Sequence, residues 1–539
     1  MTIRKEESFS DWVSLRNLSR KGMITDQGHL DRDPVAFDLA VNVRPYGEVL
    51  GPAGGWRSYA SLPLADARSF FQGRRAGDPG IALPRPVLIV LGNAGAQEFD
   101  GDNWHDISPT AGIPPDEISG FLGRWTGGYL KGSFCFQFEK GLWTYYSNAA
   151  QTNRLEPMIF DKENDADPDF STWEALGYSA KVVRTWKDFC FAGNTNARHS
   201  ASSVGDPPPP DFNSNRIMWS AAVVEGAIPT DWVVRDNNEA GYLDLGDTWE
   251  PVTEMLPLED NLVVYKANST YLLDYIGGQQ LFRARLISNT YGCTGPDAVA
   301  EYAGLHYLFS RDDLVIFDGR IFKSLLWGRM QKWFQENFDE GGSRDTFVYT
   351  DTINEEVIFA FRTKSNPGNF ADSAIVLNVR TNSLWLRQWP GRNLAMVRQV
   401  QNLNSATIPL QFATVKVAID RTSNSLIVVD EDPSAGGGVL TSQLENRSLF
   451  YDPTLGRVQV DKVRFNETGT SSQITLGQHE AANDTPQYRA PFFNIPATDY
   501  KTDARANGMG VAYKWKKEAT EDWRLSSLNF KIQRAGDRA

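Results

Sequence analysis

Five histidines, His29, His105, His199, His306 and His479, are the first residues to test for acid–base or metal chemistry. Their spacing offers neither: no two stand at metal-ligand separation and no His-Glu-x-x-His occurs. Each reads as structural or exposed. No Gly-x-Ser-x-Gly elbow, Walker A loop or dinucleotide fingerprint opens a strand-to-helix unit, which disfavours the nucleotide-dependent and hydrolase-elbow enzymes. Cys135, Cys190 and Cys293 lie far apart without Cys-x-x-Cys spacing, and are expected to be buried, reduced thiols.

Carboxylates come next. Asp231, Asp236, Asp244, Asp247 and Glu250 could supply the paired acids of a glycosidase. Gly241, Gly246, Asn237 and Asn238 among them favour solvated turns instead. The run Asp100-Gly-Asp-Asn-Trp104 resembles the Asp-box turn of sialidase propellers, in which an Asp, a Gly and a nearby aromatic staple a hairpin. In that family the box is structural, and a sialidase also needs three arginines converging on a carboxylate and a Tyr nucleophile. Calcium could be met by oxygen ligands in Asp211-Phe-Asn-Ser-Asn215 or Glu163-Asn-Asp-Ala-Asp-Pro-Asp169, but neither carries the Gly at position 6 and terminal Glu of an EF-hand. The expected set of catalytic, cofactor-binding and metal residues is therefore empty, no cofactor is expected, and the chain reads as a non-enzyme.

The elements that would position such residues are strands. The chain has 539 residues, 41% hydrophobic and 22% charged, which is a globular balance large enough for more than one core unless a closed repeat array absorbs the length. Sixteen Trp, 18 Tyr and 30 Phe together with 45 Gly and 28 Pro favour strands punctuated by turns. Formal charge is 54 − 67 = −13, so phosphate neutralisation does not supply an affinity for DNA. Residues 1 to 21 lack the apolar core of a signal peptide, and Pro86-Val-Leu-Ile-Val-Leu91 falls far short of the ~20 residues that span a bilayer, so no membrane anchor is expected.

A theme repeats along the chain: a β-branched and aromatic run, a tight turn and a second run. Its instances begin at Val87, Ser133, Asp188, Asn261, His306 and Glu356, with a weaker seventh pairing Gln411-Phe-Ala-Thr-Val415 with Leu426-Ile-Val-Val429. The starts are 46, 55, 73, 45 and 50 residues apart, which is blade-sized for a propeller of six or seven four-stranded sheets. The 73-residue interval implies an insertion near 193–215, with Pro207 to Pro210 in an exposed polyproline loop. Residues 8 to 21 suit a short helix or an extended arm equally. Phe322 to Phe338 places Leu326, Met330, Trp333 and Phe334 at helical spacing. Gly436-Gly-Gly438 marks a boundary near residue 440. The expected organisation is an N-terminal arm over 1–34, a β-propeller over 35–435, and over 440–539 a C-terminal β-sandwich-like domain, where Arg457–Phe465, Gly510–Trp515 and Leu528–Gln533 partly alternate at period two.

A family resemblance rests on spaced aromatics. Arg216-Ile-Met-Trp-Ser220, Pro229-Thr-Asp-Trp232, Ala240-Gly241, Leu258-Glu-Asp-Asn-Leu-Val-Val-Tyr-Lys266 and Ser269-Thr-Tyr271 resemble the tail nozzle proteins of short-tailed bacteriophages, also called DNA stabilisation proteins. Ala40-Val-Asn-Val43, Gly47, Gly54-Gly-Trp56, His306-Tyr-Leu-Phe-Ser310 and Phe317-Asp-Gly319 are similar to the same family, over about residues 35 to 390. The resemblance implies a propeller subunit of a hexamer, located in the virion tail after assembly in the host cytoplasm. It further implies a portal adaptor (head–tail connector) protein above, tail fibres and a tail needle or plug as further partners, and transient, non-specific passage of double-stranded DNA through the central channel. The rival expectation is a propeller tail protein that binds or degrades host glycans.

Overall fold

In a computed structural model the described residues are 10–28, 32–75, 85–92, 95–108, 124–131, 133–137, 142–145, 155–157, 179–197, 211–224, 227–232, 234, 238–278, 281–367, 370–403, 414–431, 440–449, 457–469, 472–480, 485–488, 493–495, 501–502, 505–518 and 522–535. They are almost entirely strands. Seven four-stranded antiparallel units follow one another, six as separate sheets and one as part of a ten-stranded sheet, each running from an innermost to an outermost strand. The inner strands are Ser69–Arg75, Thr126–Leu130, Ser179–Trp186, Val252–Leu258, Val299–Tyr302, Phe347–Asp351 and Leu394–Gln401. Each contacts the next and the last contacts the first, so the seven sheets close into a propeller.

The middle strands of a blade lie between two neighbouring blades, and this explains the continuous apolar runs. Glu356–Phe361 and Ser373–Asn378 are buried at every position, so both faces of the sixth blade are covered and period-two alternation disappears. Blades also approach closely: a Cβ on Gly73, in the first blade's inner strand, would stand 1.6 Å from the Phe134 ring of the second.

The ring is closed by the early chain. Three strands of the seventh blade, Leu394–Gln401, Thr414–Asp420 and Ser425–Glu431, take their outer partner from Gly55–Ser61. The weak seventh repeat is therefore the hairpin of a real blade, Thr414–Asp420 with Ser425–Glu431; residues 411–413 fall outside the described set.

The expected start of the propeller at residue 35 needs correction. Of the two readings of residues 8 to 21 the extended one holds: Ser10–Arg16 pairs antiparallel with Leu525–Ala535, and the hairpin Val43–Tyr46 with Val49–Pro52 joins the same sheet. The propeller thus starts at Gly55, and Ser10–Arg16, Val43–Tyr46 and Val49–Pro52 belong with the C-terminal strands, Leu15, Val43 and Leu50 being buried. A short helix between blades, expected from the periodicity of Phe322 to Phe338, is present. Phe322–Ser324 is the outer strand of the fifth blade, and only Gln331–Asn337 is helical, with Leu326, Met330 and Phe334 buried. The two ends of the expected insertion near 193–215 are strand, Phe189–Ala197 and Asp211–Trp219 staying paired past an irregularity at Asn194 (φ 57°), and residues 198–210 lie outside the described set. Pro207 to Pro210 lie outside the described residues. After the second of these strands, Val223 and Trp232 are buried in one cluster with Ala227 against it.

The C-terminal strands form two sheets. One joins Arg457–Glu467 and Leu525–Ala535 to the N-terminal strands; the other runs Thr441–Leu449, Gly510–Glu518, Ser472–His479. Tyr513 and Phe530 meet between them at 5.5 Å, and Trp515 packs edge-on to Trp523 at 5.1 Å. The second sheet is continuous with the sixth blade through Leu39–Val41, which pairs with Ser383–Gln388 on one side and Thr441–Leu449 on the other. A buried network of three cations and three anions reinforces that junction: Arg44, Arg387 and Lys416 against Asp351, Glu356 and Asp430.

Candidate functional site

The inner strands leave a funnel of about 430 Å³ on the propeller axis, lined by residues of six blades. Its charged groups come from four of them. Arg184 on the third blade donates from Nε to Glu254 Oε1 (2.9 Å) and from Nη2 to Glu254 Oε2 (2.6 Å), a fork that spans the boundary between third and fourth blades. Asp297, just ahead of the fifth blade's inner strand, accepts through Oδ1 from Arg184 (3.2 Å) and from Arg398 of the seventh blade (2.8 Å). Its own amide donates to Glu254 Oε2 at 2.7 Å. Asp297 sits at φ 61°, a left-handed conformation that Asp tolerates and that aims its carboxylate at the axis.

Where the inner strands begin, Arg124 crosses the ring. Buried beside Phe347 (5.1 Å), it donates to the carbonyls of Asp345 (2.6 Å) and Thr346 (3.1 Å) on the approach to the sixth blade, and to Ala395 (2.8 Å) on the seventh. Three arginines therefore do converge on a carboxylate, but the carboxylate is the chain's own Asp297. Burial works against its ionisation, and Arg398, Arg184 and Arg124 more than offset that, holding it below the usual range. The acids of the funnel are locked by cations, and among its described residues no nucleophile stands beside a base.

The residues singled out from sequence lie elsewhere. Asp100 closes a hairpin in the first blade: its Oδ1 accepts from the amides of Asp102 (3.0 Å) and Asn103 (2.7 Å), and His105 Nε2 lies 2.9 Å from Oδ2. Burial disfavours the ionised carboxyl, but those amides and the His105 ring leave it below its ordinary value. Trp104 packs on Phe99 at 4.9 Å. The same carboxylate-to-amide turn recurs at Asp318 and at Asp351, so it is a construction unit of this ring.

The described carboxylates of 231–250 are held by separate partners. Asp231 accepts from Asn238 (2.9 Å), and Asp244 is held by Arg216 (2.7 and 2.8 Å) and Asn213 (2.9 Å). Asp247 is exposed, and Asp236 lies outside the described residues. Glu250 corrects the expectation of a solvated turn: it is buried, 3.5 Å from Ser269 Oγ. It shares a pocket with Lys266, whose Nζ donates to Leu245 O (2.6 Å), Thr248 O (2.8 Å) and Thr248 Oγ1 (2.9 Å). Burial pulls Lys266 down to about 8, with Glu250 and Asp247 opposing.

Asp211 to Asn215 are strand, and 163–169 lie outside the described residues; among those described no cluster of three metal-ligating side chains occurs. His306 is buried between Tyr265 Oη (2.7 Å) and Pro257 O (2.8 Å), and burial pushes it down to about 4. His479 is buried, His105 is partly exposed, and His29 and His199 lie outside the described set. All three cysteines are buried and free. The axial arginines went unnoticed in sequence, because Arg124, Arg184 and Arg398 are brought together only by ring closure.

No family model matches the chain, and no curated protein does. Among solved structures, two crystal structures of an extracellular domain from B. thetaiotaomicron, described as part of a one component or hybrid two component system (BT4673), are 11% and 10% identical over 79% and 84% of this chain, with TM-scores of 0.37 and 0.40. The chain spans 42% and 47% of their length, less than half. A catalytically inactive virginiamycin B lyase from Staphylococcus aureus, in complex with quinupristin, is 7% identical over 69% of this chain and 98% of its own, with a TM-score of 0.38. At these scores the likeness carries no argument about function.

Proposed function

We propose that this chain is a virion structural protein, the subunit of a hexameric tail nozzle whose central channel extends the tail, retains packaged DNA and lets it pass during ejection. The observation that carries the reading is surface chemistry. Large apolar side chains stand exposed on the third, fourth and fifth blades and the segments that follow them: Trp249 at 82%, Trp327 at 78%, with Tyr242, Tyr275 and Leu286 between 41% and 48%. Aromatic surface of this kind suits contacts between subunits or with an adaptor, fibre or plug. The edge of the sixth blade is already taken by the sandwich.

Two further features support it. The axial charges are spent mainly on one another, which suits a scaffold better than a catalyst. Arg124 crosses the axis, so in this reading DNA moves between copies and not through a propeller. Six chains at −13 sum to 6 × −13 = −78, and a wall along which DNA slides should not grip phosphates.

Electron microscopy of the purified chain, alone and with its portal and adaptor, tests the reading. Six-fold rings and a stoichiometric band in the virion are expected. A monomer at every concentration that cleaves surface polysaccharide would overturn it in favour of a glycan-degrading tail protein. Trimers that adhere to host cells on their own would do so in favour of a receptor-binding module.

A further inference from the structure

One cation on the axis is not fully used by the fold. Arg398 donates from Nη2 to Asp297 Oδ1 at 2.8 Å, and its Nε lies 3.3 Å from Met396 Sδ. Among the described residues nothing accepts from Nη1, and the side chain is 32% exposed, into the funnel. The Phe71 ring, 4.6 Å from the guanidinium carbon, fixes the plane of that fork. Arg184 makes a useful contrast: its Nε, Nη1 and Nη2 donate to Glu254, Gly127, Val183 and Asp297, leaving no nitrogen free.

The surroundings of Arg398 are mixed in character. Thr350, on the neighbouring inner strand of the sixth blade, also lines the funnel, partly exposed and with no hydrogen bond from its hydroxyl among the described residues. The fourth and fifth blades contribute Leu256, Pro257, Val299 and Ala300, an apolar wall. A fixed guanidinium edge, a free hydroxyl and an apolar wall in one concave space are the recognition elements of a small organic anion. Inorganic phosphate would satisfy the arginine and leave the wall unused.

We propose that the axial funnel binds a small organic carboxylate, with its carboxylate on Arg398 and Thr350 and its apolar body against Leu256, Pro257, Val299 and Ala300. The site does not depend on the oligomeric ring and stands or falls apart from the nozzle reading.

Titration of the full chain with benzoate, its neutral isostere benzamide and inorganic phosphate, followed by ligand-observed NMR, tests it. Benzoate is expected to saturate one site, with benzamide and phosphate each weaker by about tenfold or more, the loss of one charge-assisted fork or of the apolar contact. Arg398→Gln should weaken benzoate by about tenfold, and Thr350→Val by roughly threefold. Absence of saturation, equal affinity for benzamide or for phosphate, or a benzoate affinity unchanged in Arg398→Gln overturns the proposal. Should Arg398→Gln fail to fold, Thr350→Val and the benzamide comparison on the native chain decide it, an unchanged affinity in either sinking the idea.

Discussion

Arg44 and Glu356 join the two halves of the molecule: Nε donates to Oε1 at 2.9 Å and Nη2 to Oε2 at 2.8 Å, from a strand of the sandwich to a middle strand of the sixth blade. Both side chains are at least 96% buried, and Asp351 and Asp430 lie 3.7 Å from the same guanidinium. Three cations and three anions balance there, so no net charge is buried. The sandwich and the propeller are held as one body by this neutral cluster and by the shared strand Leu39–Val41.

Replacing Arg44 with Ala removes the fork on Glu356, leaving it buried with only the longer 3.6 Å contact to Arg387 and the cluster one cation short. The expected loss is about 3–5 kcal/mol, read as a lower denaturant midpoint. Arg380→Ala, which breaks the exposed pair with Glu355, should leave the midpoint nearly unchanged. Equal effects would show that the buried cluster does not hold the two halves together.

His306 makes stability depend on acid. Its folded value of about 4 lies below the ordinary 6.5, because burial disfavours the charged ring. Between those values the unfolded chain binds the extra proton. The contribution is therefore complete above pH ~6.5 and is lost as pH falls toward ~4, by about 3 kcal/mol in total. Urea midpoints measured from pH 7 to pH 4 should fall more steeply in the native chain than in His306→Gln; parallel curves would refute the assignment.

Cys135, Cys190 and Cys293 are buried, and burial raises Cys190 and Cys293 above the ordinary thiol range. Reaction with a thiol reagent at pH 8 should be negligible in the native protein and reach all three after denaturation. Fast labelling of any one under native conditions would mean that its blade opens locally.

Truncation separates the roles of the early strands. Removing residues 1–20 takes away Ser10–Arg16, an edge strand of the sandwich, and should lower the melting temperature while leaving one cooperative transition. Removing residues 1–61 also strips Arg44 and the outer strand of the seventh blade, and should abolish cooperative melting. A stable ring after the longer truncation would show that closure does not need Gly55–Ser61.

Much of the architecture is legible locally. The hairpins starting near Ser133, Asp188, Asn261, His306 and Glu356 are all present as paired strands, because β-branched runs and tight turns are read over a few residues. The Asp100 turn is legible for the same reason: its bonds span two and three residues. The helical periodicity of Phe322 to Phe338 misleads at its start, where pairing of Phe322 with Phe317 prevails over local spacing.

By itself the amino-acid order determined the all-β class, the blade-sized repeat and the sandwich-like C-terminal strands, since those follow from interactions between near neighbours. Only the tertiary structure decided that Gly55–Ser61 closes the seventh blade, that Ser10–Arg16, Val43–Tyr46 and Val49–Pro52 complete the sandwich, and that Arg124, Arg184, Arg398 and Asp297 share one axis. The reason is range: Arg184 and Arg398 reach the same carboxylate from 113 and 101 residues away, and no local pattern records a contact made by ring closure.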